Sequence, residues 1–193
     1  MKIIFLTEEP SMAEFLKQIL PKILPEECHF QIVPHEGGGE LKKSIPVKLH
    51  HWREAEDVRF MIVLDRDSHD CIALKEEIRA LCRGTVHDFR IRIACQELEA
   101  WYFGDLAAVS EAYGKDVTKY ARQKKYRIPD AIRDPKETLK RLLPEHRSQR
   151  EGARRIGRAF RVERNTSESF LVFLAGVRTL AGLGGDPECE GRE

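Results

Sequence analysis

The sequence predicts an α/β fold in which a mainly parallel sheet of about four strands is flanked by helices and followed by a C-terminal helical cap. Up to residue 94, short apolar runs typical of buried strands alternate with segments whose apolar residues recur at helical spacing. Beyond Glu97, only the helical spacing recurs. Strands separated by helices pair mainly in parallel, and such sheets bind ligands beyond the carboxyl ends of their strands.

The first half of the chain is predicted to contain all the strands. They are expected at Lys2–Thr7, Phe30–His35, Arg59–Asp65 and Asp88–Ala94. Helices are expected between them at Ser11–Leu20, at about Leu41–Trp52 after a glycine-rich loop, and at about Ile72–Cys82. Ser11 is predicted to cap the first helix, because Glu14 follows it at the spacing of a capping box.

The second half is predicted to be a helical region, residues 97–183, that packs on an α/β core of residues 1–96 to give a single domain. Its helices are expected near Glu97–Phe103, Leu106–Tyr113, Pro135–Leu143, Glu151–Phe160 and Ser167–Leu180. Residues 114–134 are basic and poor in large aliphatic side chains, which is typical of a mobile loop. Residues 184–193 are expected to form a disordered tail.

Composition narrows the possible functions. The chain has 33 Lys and Arg residues against 32 Asp and Glu, so contact with nucleic acid requires a local basic patch. Its five cysteines form no CxxC pair, which argues against a disulfide framework or a structural zinc site and favours a reducing cytoplasm. No segment approaches the roughly 20 apolar residues of a membrane span, so we expect a soluble protein without a membrane partner.

Acidic side chains follow the predicted strands. They are Glu8 and Glu9 after the first strand, Glu36 with His35 at the second, Asp65, Asp67 and Asp70 at the third, and Glu97 and Glu99 after the fourth. If the strands are parallel, these carboxylates converge at one edge of the sheet, where Mg²⁺ would relieve their repulsion. Asp65 and Asp67 alternate along an extended segment and could share such an ion. An alternative is that Asp67 and Asp70 only cap the next helix, and we prefer this role for Asp70.

The pattern of an acidic residue after the first strand and a DxD motif after a later one resembles the Toprim domain of topoisomerases, primases and overcoming-lysogenization-defect nucleases. In this chain the two motifs are TEEPSMAEFL and LDRD. The sequence is still more similar to a Toprim-like family of prokaryotic proteins, domain of unknown function 4276. The segments that carry this likeness cover nearly the whole chain and are, in order, TEEPSMAEFL, VPHEGGGELKK, FMIVLDRDSHDC, RIACQELEAWYFGD, DPKETLKRLLP and ESFLVFLAGVRTL.

The resemblance implies roles for individual residues. Glu8 would act as general acid or base in phosphodiester transfer, while Asp65 and Asp67 would hold Mg²⁺ or Mn²⁺. The family usually has glycine after its glutamate, whereas this chain has Glu9. The role of Glu8 could therefore pass to Glu9.

Two later segments, ELEAW and DPKE, also contain charged residues. In ELEAW, residues two apart on a helix do not share a face, so at most one of Glu97 and Glu99 should enter the site as a metal or water ligand. We choose Glu97, and the alternative is that it is only a favourable charge at the N-terminus of a helix. In DPKE, the charged residues Asp134, Lys136 and Glu137 are explained by the start of a helix with proline in its first turn, without any chemistry.

Basic residues supply candidate contacts to a phosphate backbone. We predict nucleic-acid binding by Lys124 and Lys125 in the basic loop and by Arg154, Arg155 and Arg158 on a later helix. A solvated helix face explains the same residues equally well.

The resemblance implies a Toprim-type, Mg²⁺-dependent endonuclease of a prokaryotic defence or mobile-element system, acting on nucleic acid. The resemblance also implies an ATPase encoded nearby as a partner, and the chain has no phosphate-loop GK[ST] motif of its own. A homo-oligomer is left open. Two other functions also stay open. One is a haloacid-dehalogenase-like phosphatase with Asp65 as nucleophile and Asp67 as acid, and the other is a non-catalytic regulatory subunit of an ATPase-containing complex.

Overall fold

A parallel four-stranded sheet lies at the centre of the computed structural model, which describes residues 1–53, 57–66 and 69–184. Its strands are β1 (Lys2–Thr7), β2 (His29–Pro34), β3 (Val58–Asp65) and β4 (Phe89–Ala94), in the spatial order β2-β1-β3-β4. Within the described residues, each neighbouring pair of strands is parallel. The predicted α/β class and the parallel pairing are confirmed.

Helices surround this sheet. Three follow β1, β2 and β3 in turn: α1 (Pro10–Ile19), α2 (Gly38–His51) and α3 (Cys71–Leu81). The others follow β4 and are α4 (Leu98–Phe103), α5 (Leu106–Tyr113), α6 (Pro135–Leu142), α7 (Gln149–Ala159) and α8 (Glu168–Leu180). Each helix predicted from the sequence is present, with ends that differ from the expected ones by a few residues at most.

The strands end nearly level with one another. Thr7 at the end of β1 pairs with Pro34 of β2 and with Val63 of β3, and Asp65 at the end of β3 pairs with Ala94 of β4. Because all four strands run in the same direction, the connections after them leave the sheet at one side, which we call the carboxyl edge. The acidic residues that follow β1, β3 and β4 therefore emerge beside one another.

Two hydrophobic cores cover the two faces of the sheet. Ile4 and Leu6 of β1 pack with α2 and α3, whereas the alternating residues Ile3 and Phe5 pack with α1 and with helices after β4. Trp101 of α4 is fully buried in the latter core. The second half of the chain thus completes one face of the sheet.

The start of α1 differs from the prediction. The helix begins at Pro10, and the preceding Glu9 provides no side-chain cap. Ser11 lies inside the first turn, where its hydroxyl donates a hydrogen bond to Glu9 Oε2 at 3.1 Å. The predicted capping box of Ser11 and Glu14 is therefore wrong. Proline suits the first helical position because its missing N–H group would have no acceptor there.

The basic segment 114–134 contains short 3-10 helices at Thr118–Arg122, Lys124–Tyr126 and Pro129–Ala131. Tyr126 is buried and stacks on Phe103 of α4, with ring centroids 5.5 Å apart. Asp130 accepts hydrogen bonds from the hydroxyls of Ser167 and Ser169 at 2.9 and 2.5 Å. These contacts attach the segment to the helices on either side of it.

Some sequence-based expectations concern residues that the structure does not describe. Asp67, Cys189 and the predicted tail, apart from Gly184, lie outside the described residues. Within the described ranges, the longest helices are too short or too polar to cross a membrane.

Candidate functional site

Glu8 joins the ends of two strands at the carboxyl edge. It follows β1, and its Oε2 accepts a hydrogen bond of 3.1 Å from the backbone N–H of Asp65, the last residue of β3. On its other side, Oε1 lies against the start of α2, since a Cβ atom at Gly38 would be only 2.9 Å away. The predicted proximity of Glu8 and Asp65 at this edge is confirmed.

Glu9 faces a different neighbourhood from Glu8. A groove of about 270 Å³ opens beside it, lined also by Pro10 and Ser11, by Glu36 and Gly37 of the β2–α2 connection, and by Gln149 and Arg150 of α7. Arg150 pairs with Glu36 at 3.2 Å across this groove. Glu8 and Glu9 are thus both partly buried at the carboxyl edge.

A buried acid lies behind this edge. Glu99 of α4 is 4% exposed, and burial raises its pKa to about 7. The positive charge of Lys136 acts against this shift, whereas the negative charges of Glu97 and Glu9 add to it. Glu99 therefore changes its charge near neutral pH, unlike an ordinary surface glutamate.

Lys136 of α6 is the cation of this cluster. Its backbone N–H donates to Glu97 Oε2 at 3.2 Å. Burial acts to lower the pKa of Lys136, but the charges of Glu9, Glu99, Glu97 and Asp65 raise it, and the net shift is upward. Carboxylates from three separate connections thus keep one ammonium group protonated. We refer to Glu8, Glu9, Asp65, Glu97, Glu99 and Lys136 as the acidic cluster.

The sequence-based choice between Glu97 and Glu99 assumed that both residues lie on one helix. In the structure Glu97 precedes α4 in an extended conformation, with φ −145° and ψ 167°, so the helical spacing rule does not apply to the pair. Both carboxylates are close enough to Lys136 to raise its pKa. Lys136 itself was missed, because the start of a helix explained its segment. The segments ELEAW and DPKE follow each other in the sequence, and this order was the signal that could have linked Lys136 with Glu97 and Glu99.

The hydroxyl of a buried tyrosine lies near the acidic cluster. Tyr102 of α4 is 1% exposed, and its hydroxyl has no hydrogen-bond partner among the described residues. Burial raises the pKa of Tyr102 well above its ordinary value, and the charges of Glu99 and Asp65 add to the shift. A buried hydroxyl without a partner is costly, so a polar ligand or water beside it would be stabilising.

The carboxyl edge offers oxygen ligands of the kind that a divalent cation requires. In the described part of the chain, no three His, Cys, Asp or Glu side chains are arranged to hold a metal ion. Carboxylate oxygens are nevertheless the ligand type that Mg²⁺ prefers, and the Glu8 carboxylate lies against the backbone N–H of Asp65 at the carboxyl edge. Asp67, the expected partner of Asp65, lies outside the described residues. The donor chemistry fits Mg²⁺, and the ligand set predicted from the sequence stays a prediction.

Asp70 has the structural role that was expected. Its Oδ1 accepts hydrogen bonds from the backbone N–H groups of Ile72 and Ala73 at 3.0 and 2.9 Å, so it caps α3. His35 is also structural: its Nδ1 lies 2.9 Å from the carbonyl oxygen of Thr7, and its Nε2 lies 2.8 Å from the Ser44 hydroxyl. Neither residue belongs to the acidic cluster.

The predicted nucleic-acid contacts lie on exposed surfaces. Arg154 and Arg155 of α7 both pair with Glu151 at 3.0 Å. Arg158 is exposed at the end of the same helix, and Lys124 and Lys125 are exposed in the basic segment. Such ion pairs are weak in water, so Arg154 and Arg155 could exchange Glu151 for a phosphate. Their binding role stays a prediction.

Comparison with solved structures supports the Toprim-like fold. Two structures of the C-terminal region of the OLD protein of Xanthomonas campestris pv. campestris are similar to this chain. The one phased with iodine has a TM-score of 0.51 and 13% sequence identity, and the alignment covers 94% of this chain and 96% of the other. The one phased with platinum has a TM-score of 0.50 and 14% identity, with 94% of each chain covered.

Comparison of sequences gives the family. A search of curated proteins finds no significant match to this chain. Residues 7–178, which include the whole acidic cluster, match the family described as domain of unknown function (DUF4276). With its sheet order, its acidic carboxyl edge and this match over most of its length, the chain belongs to the DUF4276 family.

Proposed function

We propose that the protein is a Toprim-type endonuclease that cleaves phosphodiester bonds of nucleic acid with Mg²⁺ or Mn²⁺. The observation that carries the proposal is the convergence of carboxylates from the β1, β3 and β4 connections around Lys136. An edge with this much negative charge repels a phosphodiester unless a cation is bound there, so binding of an anionic substrate would require a metal ion at this edge. The likeness in fold to the OLD C-terminal region agrees with this class of function.

The metal ion would be held by carboxylate oxygens at the carboxyl edge. Asp65 and Asp67 are the proposed principal ligands, with Glu8 and Glu97 as further candidates. When bound, the ion would neutralise charge on the phosphate and lower the pKa of an attacking water.

The chain's own residues would supply the remaining functions. The N–H group of Asp65 fixes one oxygen of Glu8, which leaves that carboxylate positioned to accept or donate a proton. The Lys136 ammonium, kept protonated by its acidic neighbours, would contact a non-bridging oxygen of the phosphate and offset its charge. Glu99, which is buried and interacts electrostatically with Lys136, would act as a positioning residue for that ammonium group.

Substrate binding would depend on a second component. The net charge of +1 gives the chain no strong attraction for nucleic acid, and Arg154 and Arg155 already pair with Glu151. We therefore expect weak, salt-sensitive binding by the isolated chain, through the arginines of α7 and through Lys124 and Lys125. An ATPase encoded nearby, in a prokaryotic defence or mobile-element system, is the proposed partner.

The test is a cleavage assay on plasmid DNA and on structured RNA in Mg²⁺ or Mn²⁺, with the chain alone and together with the product of the neighbouring gene. Asp65→Asn and Asp67→Ala should abolish cleavage. Asp70→Asn is the matched control, because asparagine also caps helices and Asp70 lies outside the acidic cluster.

Two results would count against the proposal. Cleavage that survives Asp67→Ala would exclude the proposed metal ligands. Absence of cleavage by the wild type with every substrate and partner would instead favour a non-catalytic, regulatory subunit.

A further inference from the structure

The strand β2 lies at one side of the sheet and is its least covered strand. In the spatial order β2-β1-β3-β4 its neighbour is β1, and within the part of the chain that the structure describes no strand pairs with its other side. None of the six residues of β2 is fully buried, whereas each of the other strands contains several buried residues. The outer side of β2 is therefore accessible to another chain.

The backbone of β2 alternates between β1 and this outer side. The N–H group of His29 donates to the carbonyl oxygen of Met1 at 3.1 Å, and that of His35 donates to the carbonyl oxygen of Thr7 at 3.0 Å. In a strand, the backbone groups of successive residues point to opposite sides. The odd-numbered residues of β2 thus face β1, and the even-numbered residues face outwards.

The even-numbered residues leave backbone groups for another strand. Phe30 and Ile32 each direct an N–H and a C=O group outwards, and Pro34 agrees with this phase, because proline has no N–H and occupies such positions in outer strands. The side chains of Phe30 and Ile32 are also only partly buried. Proteins usually protect an outer strand with lysine, a bulge or proline. Apart from Pro34 at its end, β2 has no such protection, and its register with β1 is unbroken.

We propose that β2 pairs in antiparallel orientation with β2 of a second copy of this chain, across a two-fold axis at Gln31. In this register Phe30 of each copy lies opposite Ile32 of the other, and each pair exchanges both of its backbone hydrogen bonds. The two apolar side chains of a pair lie on the same face and cover each other, which stabilises the pairing. At the axis, the exposed Gln31 lies opposite its own copy, and the two amides can hydrogen-bond.

Charge and direction favour a second copy as the partner. β2 contains no Asp, Glu, Lys or Arg, and the net charge of the chain is only +1, so two copies approach without strong repulsion. Because the paired strands run in opposite directions, the two carboxyl edges lie at opposite ends of the joined sheet. The pairing therefore leaves both acidic clusters away from the axis and does not depend on the proposed nuclease activity.

The first experiment is sedimentation velocity of the reduced protein over a range of concentrations. The wild type should form dimers that dissociate on dilution. Gln31→Lys should sediment as a monomer, because it sets like charges directly opposite each other. Val86→Lys is the matched control: it adds the same charge at a residue that is 90% exposed and lies outside β2, so it should keep the wild-type distribution. Circular dichroism melts check that both variants are folded.

The second experiment tests the register with cysteine variants. Gln31→Cys should form an intermolecular disulfide on mild oxidation, because the Cα atoms of such a pair lie about 4.5 Å apart, within the range of a disulfide. His29→Cys is the control in the same strand, since it is also exposed but its Cα would lie roughly 14 Å from its counterpart. Non-reducing electrophoresis measures the cross-link, and the wild type gives the background from the native cysteines.

Three results would overturn the proposal. They are a wild type that is monomeric at every concentration, a dimer that Gln31→Lys leaves unchanged, and equal cross-linking of the Gln31→Cys and His29→Cys variants. In the first case the outer side of β2 would be left to a strand of a different protein. If Gln31→Lys folds poorly, the cysteine variants decide the matter. None of these measurements uses cleavage, so the pairing and the proposed function fail independently.

Discussion

Gly38 controls the position of Glu8 without contributing a side chain of its own. A Cβ atom at this position would lie 2.9 Å from Glu8 Oε1, too close for the present position of that carboxylate. The atom that would have to move is the far end of a flexible side chain rather than backbone. A substitution at Gly38 can therefore shift the Glu8 carboxylate while Glu8 itself is kept.

We predict that Gly38→Ala lowers the proposed cleavage activity while leaving stability nearly unchanged. The displaced carboxylate should reduce the rate by about 10- to 100-fold, a typical cost of a misplaced catalytic group. Stability should change by no more than about 1 kcal/mol, since alanine suits a helix better than glycine. The measurements are cleavage rate and urea unfolding, and Gly39→Ala is the control because nothing lies within 4 Å of its added Cβ. Equal activity of the two variants would show that the position of Glu8 is unimportant.

His146 introduces a pH dependence away from the acidic cluster. It is 2% exposed, its Nδ1 lies 2.5 Å from the Tyr113 hydroxyl, and its Nε2 has no partner among the described residues. Burial lowers its pKa below the ordinary 6.5, and the positive charge of Lys140 adds to this shift. The folded state therefore resists protonation of His146 more than the unfolded state does.

We predict that this residue makes the protein less stable in mild acid. With a lowered pKa in the folded state, its contribution is fully present above pH 6.5 and is lost as the pH falls through the folded-state pKa. The free energy of unfolding of the wild type should thus fall between pH 7 and pH 5 more steeply than that of His146→Gln. His51→Gln, at an exposed histidine, should keep the wild-type slope. Identical slopes for the wild type and His146→Gln would contradict the prediction.

Single residues differ in how far the sequence reveals their roles. Asp70 was predictable, because an aspartate just before a helical segment can be recognised locally as a cap. Glu99 and Lys136 were not, because their surroundings depend on α4 and α6 meeting at the carboxyl edge, and no local pattern specifies that contact. Burial of a charged residue is a tertiary property, so the sequence pattern alone indicated neither the buried acid nor its pairing with Lys136.

The contact between α1 and α7 attaches the second half of the chain to the first. Gly157 of α7 lies so close to α1 that an added Cβ would be 2.8 Å from Gln18 Cβ and 3.3 Å from a ring carbon of Phe15. Lys22, just after α1, donates to the carbonyl oxygens of Gly157, Arg158 and Phe160 at 2.8 to 2.9 Å. A cation at the last carbonyls of a helix is stabilising.

We predict that Gly157→Ala destabilises the protein by about 1–3 kcal/mol, the typical cost of overpacking a close contact. The clash involves Gln18 Cβ, which is fixed to the backbone of α1, so the two helices must separate. Urea unfolding of the variant checks this value. Arg158→Ala, at the exposed neighbouring residue, should change stability by less than about 0.5 kcal/mol. A Gly157→Ala variant as stable as the wild type would show that α7 can shift without cost.

Secondary structure elements were largely predictable from the sequence, whereas the contacts between them were not. The helices and strands have strong periodicity, which depends only on nearby residues. The start of α1 was misplaced because two local signals competed there, and proline at the first position prevailed over the serine cap. The pairing of α1 with α7 joins residues that are more than 130 positions apart, and Gly157 gives no sign of it in the sequence.

For the molecule as a whole, the excess of carboxylates at one edge is a cost to stability that a cation would relieve. We predict that millimolar Mg²⁺ or Mn²⁺ raises the Tm by about 2–4 °C, which corresponds to about 1 kcal/mol in a chain of this size. The reason is that the ion binds the folded edge and not the unfolded chain. Thermal melts with cation and with EDTA measure the effect.

Two carboxylates at opposite ends of β3 provide the comparison. Asp65→Asn should reduce the metal-dependent increase in Tm, because Asp65 ends the strand at the acidic cluster. Asp57→Asn should leave it unchanged, because Asp57 precedes the strand and pairs with Arg59 at 2.8 Å. An equal increase in both variants, or no increase in the wild type, would argue against a metal site at this edge.

The division of the core between the two faces of the sheet also has a consequence during synthesis. The face covered by α2 and α3 uses residues that precede Ala94, whereas the opposite face is covered by α1 and by helices that extend to Leu180. At 5–20 residues per second, a ribosome needs about 4–17 s to add this remaining segment. During that interval Ile3, Phe5, Met61 and Val63 lack the part of their final cover that comes from the helices after β4. The nascent chain therefore passes through a state with a half-covered sheet, in which those side chains are available to chaperones and to other nascent chains.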